Sequence, residues 1–179
     1  YVDCATPRAC YPSSKRAAET LCIAYATEYG TPVTIARLCH TYGPGFTESD
    51  NRVFAQFFRN VLRDEDIVLK SHGEQYRSWL YVVDSAHALL HLLLHGESAQ
   101  AYNVADAKGN ITIRQLAEQV AAWAHRQVVF DIPATADQGN TTPVTRATFD
   151  TSKIEHTGWK PLFDISTGLN HSLETLKER

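Results

Sequence analysis

Residues 11–45 read YPSSKRAAETLCIAYATEYGTPVTIARLCHTYGPG, and the order of signals inside them sets the fold class. Pro12 suits the first turn of a helix, where a missing N–H costs nothing. Ala18, Leu21, Cys22, Tyr25 and Tyr29 recur at helical spacing, which predicts a helix over 12–29. Gly30 supplies the stop, and Pro32 lies just beyond it. Val33 and Ile35 then open a short β-rich run that ends in the turn Gly43-Pro44-Gly45. Helix, strand and glycine-rich loop in succession make the rhythm of an α/β sheet, where ligands gather beyond the carboxyl ends of strands. The segment from His40 to Gly45 stands at such an end.

The same alternation continues outward. A second helix is expected from Arg52 to Leu62, followed by a strand at DIVLK. RSWLYVVD has strand character, and Asp84 is expected to cap a helix over 85–95. In that helix Ala86, Leu89, Leu90, Leu93 and Leu94 form an apolar face. AYNVAD reads as a further strand, and Thr112 with Gln115 makes a capping box before another amphipathic helix. Residues 131–147, rich in Pro, Thr, Asp, Gln and Gly, read as a loop, and STGLNHSLETLKE as a terminal helix. There is no internal repeat of solenoid period. Strands alternating with helices predict an α/β fold.

A chain of 179 residues can bury one substantial core, and its 44% hydrophobic and 21% charged residues match an ordinary globular composition. A formal charge of −3 offers no basic field for a nucleic acid. The longest apolar run, AHALLHLLLHG, is too short and too rich in histidine to span a bilayer. Cys4, Cys10, Cys22 and Cys39 contain no CxxC pair, and without a signal peptide they read as reduced thiols of a cytoplasmic protein. His87, His91 and His95 fall at i, i+4 and i+8, beside the leucine stripe and without a carboxylate or cysteine at matching spacing. They read as a boundary stripe, and no metal is assigned.

Tyr11 and Lys15, four residues apart, share one helical face. A phenol is a poor base at neutral pH; a neighbouring ammonium and a bound cationic nicotinamide both favour its ionised form. Such a phenol can take a proton from a sugar hydroxyl while hydride leaves the same carbon. The lysine can also reach a ribose hydroxyl. A tyrosine packed on a core beside a solvated lysine gives the same spacing, so the pair acquires meaning from its surroundings.

Those surroundings are YPSSKRAAETLC, then EYG, ARLCHTYGPG, YRSWLYVVDSAHAL and AYNVAD, in that order. Together they resemble the extended short-chain dehydrogenase/reductase family of NAD-dependent nucleotide-sugar epimerases, dehydratases and decarboxylases, over nearly the whole chain. PRACYPSSKRAAETLC is most similar to the UDP-glucuronate decarboxylase branch, with dTDP-glucose 4,6-dehydratase as near neighbour. The resemblance implies the C-terminal part of a Rossmann-type parallel sheet with a smaller, mixed α/β substrate-binding domain. Residues 1–43 would be a remnant of the NAD-binding domain, and 44–179 mainly substrate-binding, with roughly 80–105 returning to the Rossmann sheet.

By the same resemblance Tyr11 would be the catalytic base and Lys15 its partner on the nicotinamide ribose, with NAD as cofactor. His40 stands where relatives carry an asparagine that touches the sugar nucleotide, so it would meet cofactor or substrate, with Tyr42 in the same segment. Arg77, in YRSW, matches an arginine on the substrate diphosphate, and Arg52 opens a helix near the nucleotide. The partner implied is a nucleoside-diphosphate sugar, and a homodimer of the full-length protein. Two departures stand out. Gly45 replaces an arginine that the decarboxylase branch places near the substrate carboxylate. The glycine-rich phosphate loop and the catalytic Ser/Thr belong far upstream of the tyrosine, which has only ten residues before it. With no methionine in the sequence, the chain is expected to be a C-terminal portion of such an enzyme, inactive without the rest.

Overall fold

In the computed structural model, residue 3 and residues 5–133 and 144–178 are described. A short 3₁₀ turn, Pro7–Ala9, leads into helix α1, Cys10–Tyr29. Strands β1, Thr34–Leu38, and β2, His40–Tyr42, follow, then α2, Val53–Leu62. Next come β3, Ile67–Leu69, β4, Tyr76–Tyr81, and α3, Val82–His95. The chain continues through β5, Gln100–Val104, β6, Asn110–Thr112, and α4, Ile113–Trp123. It closes with β7, Val128–Phe130, β8, Arg146–Ala147, and helices α5, Ser152–Glu155, and α6, Ile165–Lys177. The fold is α/β, as the alternation predicts. Of the loop expected over 131–147, residues 134–143 lie outside the described residues, and Arg146–Ala147 form β8.

β1 runs parallel to β5, from Thr34 opposite Gln100 to Leu38 opposite Val104. Cys39 extends that pairing by donating to the Val104 carbonyl at 3.0 Å. Beyond Cys39 the chain changes neighbour, and β2 runs parallel to β4. A single extended run therefore joins two sheets, with His40 just past the switch. β4 also pairs antiparallel with β6 and parallel with β8, and β3 pairs parallel with β7.

The core has two parts, and β4 separates them. Trp79 and Tyr81 face a cluster built from α2, α4, α6 and β3. Leu80, on the opposite face by the period of two, joins Ala88, Leu92, Tyr102, Val104, Ile154 and Trp159. Each large side chain buried in this way contributes about 1.5–3 kcal/mol relative to exposure.

Helix termini follow local chemistry in most places. Gly30 ends α1 in the left-handed conformation, at φ 63°. Thr112 and Gln115 form the expected capping box, and Asp164 caps α6 through the Thr167 N–H. Asp84 does not cap α3. That helix starts directly at the end of β4 with Tyr81 as its N-cap, and Asp84 sits buried in the first turn. Its carboxylate accepts from the Leu162 N–H at 2.7 Å and the Phe163 N–H at 3.2 Å. It ties the segment before α6 to α3.

Two apolar faces behave differently from their periodicity. α1 has no buried residue among those described, and Leu21, Tyr25 and Tyr29 are all exposed. On α3 the side turned inward carries Asp84, Ser85, Ala88 and Leu92, whereas Leu89, Leu90, Leu93 and Leu94 are exposed, Leu93 by 77%. No helix among the described residues is long and apolar enough to cross a membrane.

Candidate active site

Tyr11 occupies the first turn of α1, just ahead of Pro12, and the residue is 71% exposed. Helical geometry brings Lys15 to the same face, with its Nζ 5.7 Å from the centroid of the Tyr11 ring. The Tyr11 hydroxyl makes no hydrogen bond among the described residues, while Ser14 Oγ donates to the Tyr11 carbonyl at 2.8 Å. The pair lines an open groove of about 780 Å³ between α1 and the start of the β1–β5 sheet, together with Arg16, Glu19, Ile35 and Arg37.

Arg37 crosses from β1 to α1 and grips Glu19 side-on, at 2.7 Å through Nε and 2.5 Å through Nη2. These hydrogen bonds hold the Glu19 carboxyl below its usual range and raise Arg37. Arg37 was not among the expected site residues. Its only sequence signal is the single charge within TIARL, and its place in the groove depends on how β1 lies against α1.

A second group of expected residues meets on β2 and β4. His40 stands opposite Trp79 in the strand register, and the two rings lie 5.4 Å apart. His40 is exposed as a residue, yet the packing around its ring, helped by the charge of Arg77, holds it below the usual imidazole value, which favours the neutral form. Arg77 is only 6% exposed. Its guanidinium donates to the carbonyls of Tyr76 at 3.0 Å, Thr145 at 3.3 Å and Val144 at 2.6 Å. No carboxylate pairs with it among the described residues, and burial lowers its affinity for its proton. Among the described residues its charge is met by backbone carbonyls alone.

Arg52 is the N-cap of α2, and its guanidinium is paired with Asp50. Tyr42, by contrast, belongs to the core. It is buried, its hydroxyl donates to the Ile165 carbonyl at 3.1 Å, and burial pushes its phenol up. Gly168 of α6 packs so closely that a Cβ there would lie 2.3 Å from the Tyr42 oxygen. The position expected to touch substrate is spent on docking α6. The lining of the Tyr11 groove includes none of His40, Tyr42, Arg52 and Arg77. Among the described residues no three His, Cys, Asp or Glu are grouped to hold a metal; His91 Nε2 instead meets Thr157 Oγ1 at 2.9 Å.

A sequence profile of the NAD dependent epimerase/dehydratase family matches residues 2–105. UDP-glucuronic acid decarboxylase 5 of Arabidopsis thaliana is 32% identical over 163 residues, covering 90% of this chain and 46% of that protein. The chain thus spans about half the length of this relative. Among solved structures, UDP-glucose 4-epimerase of Thermotoga maritima, with UDP-glucose, superposes with a TM-score of 0.81 at 25% identity. That match covers 94% of this chain and 53% of the epimerase. dTDP-glucose 4,6-dehydratase of Bacillus anthracis, in complex with NAD, gives a TM-score of 0.80 over 100% of this chain and 54% of its own. At 21% identity it bears on the fold alone.

Proposed function

The chain belongs to the NAD dependent epimerase/dehydratase family, and on that premise we propose that it carries the proton-transfer side of an active site for nucleoside-diphosphate sugars. The reaction passes through a 4-keto sugar. Decarboxylation of UDP-glucuronate is the leading form, the activity named in the Arabidopsis relative. Dehydration of dTDP-glucose or 4-epimerisation is the alternative, since Gly45 leaves no cation after the Tyr-Gly-Pro turn for a substrate carboxylate.

One observation carries the reading: an exposed phenol on an open groove with an ammonium set beside its ring. Tyr11 takes the proton of the sugar 4-hydroxyl, and Lys15 stabilises the negative charge that results. The groove suits a dinucleotide because Lys15, Arg16 and Arg37 outnumber Glu19, leaving positive charge for its phosphates. NAD bound there supplies the hydride acceptor. The ketone formed at C4 stands β to the carboxylate carbon of a glucuronate. Breaking the C5–C6 bond releases carbon dioxide and leaves the electron pair in an enolate across C4 and C5, which a proton at C5 quenches. Arg77 supplies the counter-charge for the diphosphate, Arg52 a second anionic contact, and neutral His40 a single directed hydrogen bond.

In this reading residues 1–43 belong with the cofactor-binding domain and 44–179 mainly with the substrate domain, apart from a return through β5. The exposed Leu21, Tyr25 and Tyr29 support a homodimer that uses α1. The test is NAD-dependent turnover of UDP-glucuronate by the complete natural polypeptide, then by its Tyr11→Phe variant. Retained activity in the variant overturns the role of Tyr11. A second reading is a sugar-nucleotide binding module without catalysis. It requires UDP binding without NAD binding, and titrating the two ligands separately distinguishes the readings.

A further inference from the structure

We infer that Asp50 is a positioning residue for Arg52, fixing that guanidinium so that its free end meets an anionic group of the ligand. The inference rests on the nucleoside-diphosphate reading above. Guanidinium has five N–H donors arranged around a rigid plane. Asp50 takes the side edge: Nε lies 3.0 Å from each carboxylate oxygen, and Nη2 lies 2.5 Å from Oδ2. Among the described residues nothing accepts from Nη1, and the Arg52 side chain is 58% exposed. The end edge is therefore held still and open to solvent.

The carboxylate is itself fixed. Its Oδ1 accepts from the Arg52 backbone N–H at 2.9 Å, a turn that starts α2. Arg59 Nη2 donates to the Asp50 carbonyl at 2.6 Å. The Phe54 ring lies 4.8 Å from the Arg52 guanidinium carbon and limits its swing. Two guanidiniums stand close to this one carboxylate, Arg52 on its oxygens and Arg59 on the Asp50 backbone carbonyl, so the local charge stays positive and an anion is still attracted. Most exposed ion pairs gain little, because two long side chains must be ordered to form them. Here the ordering is done before the ligand arrives, which is how preorganisation raises affinity.

The test is calorimetric titration of UDP into the native chain, Arg52→Gln, Asp50→Asn and the double variant. Asparagine keeps an oxygen for the Arg52 N–H, so α2 retains its start, and melting curves verify this. Arg52→Gln and Asp50→Asn should each weaken UDP binding by roughly five- to tenfold, the scale of one charge-assisted contact. The double variant should lose no more than Arg52→Gln alone, because Asp50 acts through Arg52. Tighter binding in Asp50→Asn overturns the inference and makes the carboxylate a competitor of the ligand. Additive losses overturn it in favour of a simple helix cap, and unchanged binding in Asp50→Asn overturns it as well. Unchanged binding in Arg52→Gln, or no UDP binding by the native chain, overturns the nucleotide reading at this helix together with the inference.

Discussion

At Tyr11 the side chain stands clear of the core, so Tyr11→Phe removes one oxygen and leaves no cavity. The melting temperature should stay unchanged while turnover of UDP-glucuronate by the complete polypeptide falls by roughly 10²–10⁴-fold, the usual worth of a positioned base. His40 gives a stability prediction. Its folded-state pKa is depressed, so below about pH 6.5 the unfolded chain binds the proton more readily. Stability is then lost as pH falls through that window, and none is lost above it. In melting curves from pH 7 to pH 5, His40→Gln should show a shallower decline than the native chain. An equal or steeper decline would show that the surroundings of His40 do not oppose its protonation.

Helices divide by which of their signals are local. The stop at Gly30, the capping box of Thr112 and Gln115, and the span of α2 were legible because neighbouring residues fix them. The buried side of α3 was not legible. Leu89, Leu90, Leu93 and Leu94 make the more apolar face, yet close approach to the sheet selects the smaller Ala88 and Ser85 with Leu92. Asp84 misled for a related reason, because its partners at 162 and 163 lie far along the chain. The site follows the same division. Tyr11 and Lys15 share one helix, so their common face was readable from their spacing, whereas their pairing as a site rests on the surrounding motifs. Arg37 reaches the groove only through the packing of β1, and the burial of Tyr42 depends on α6. The two faces of α3 can be compared by urea unfolding: Leu92→Ala should cost about 2–5 kcal/mol, whereas Leu93→Ala should stay within about 0.5 kcal/mol.

Across the whole molecule, β4 holds the two apolar clusters together, and the β1–β5 pair stands at the margin of that arrangement. Among the described residues β1 has a strand neighbour on one side only, so its other edge keeps unpaired N–H and C=O groups. Within TIARL the only charge is Arg37, anchored by Glu19. A charged side chain on an open strand edge hinders pairing with another molecule. Arg37 thus bears on shelf life as well as on the groove. In concentrated solutions of the isolated chain, Arg37→Val should shorten the lag before turbidity and raise thioflavin fluorescence, and an unchanged lag would show that edge to be harmless. That lag would then measure how far the guanidinium that borders the proposed cofactor groove also keeps the isolated chain from pairing through β1.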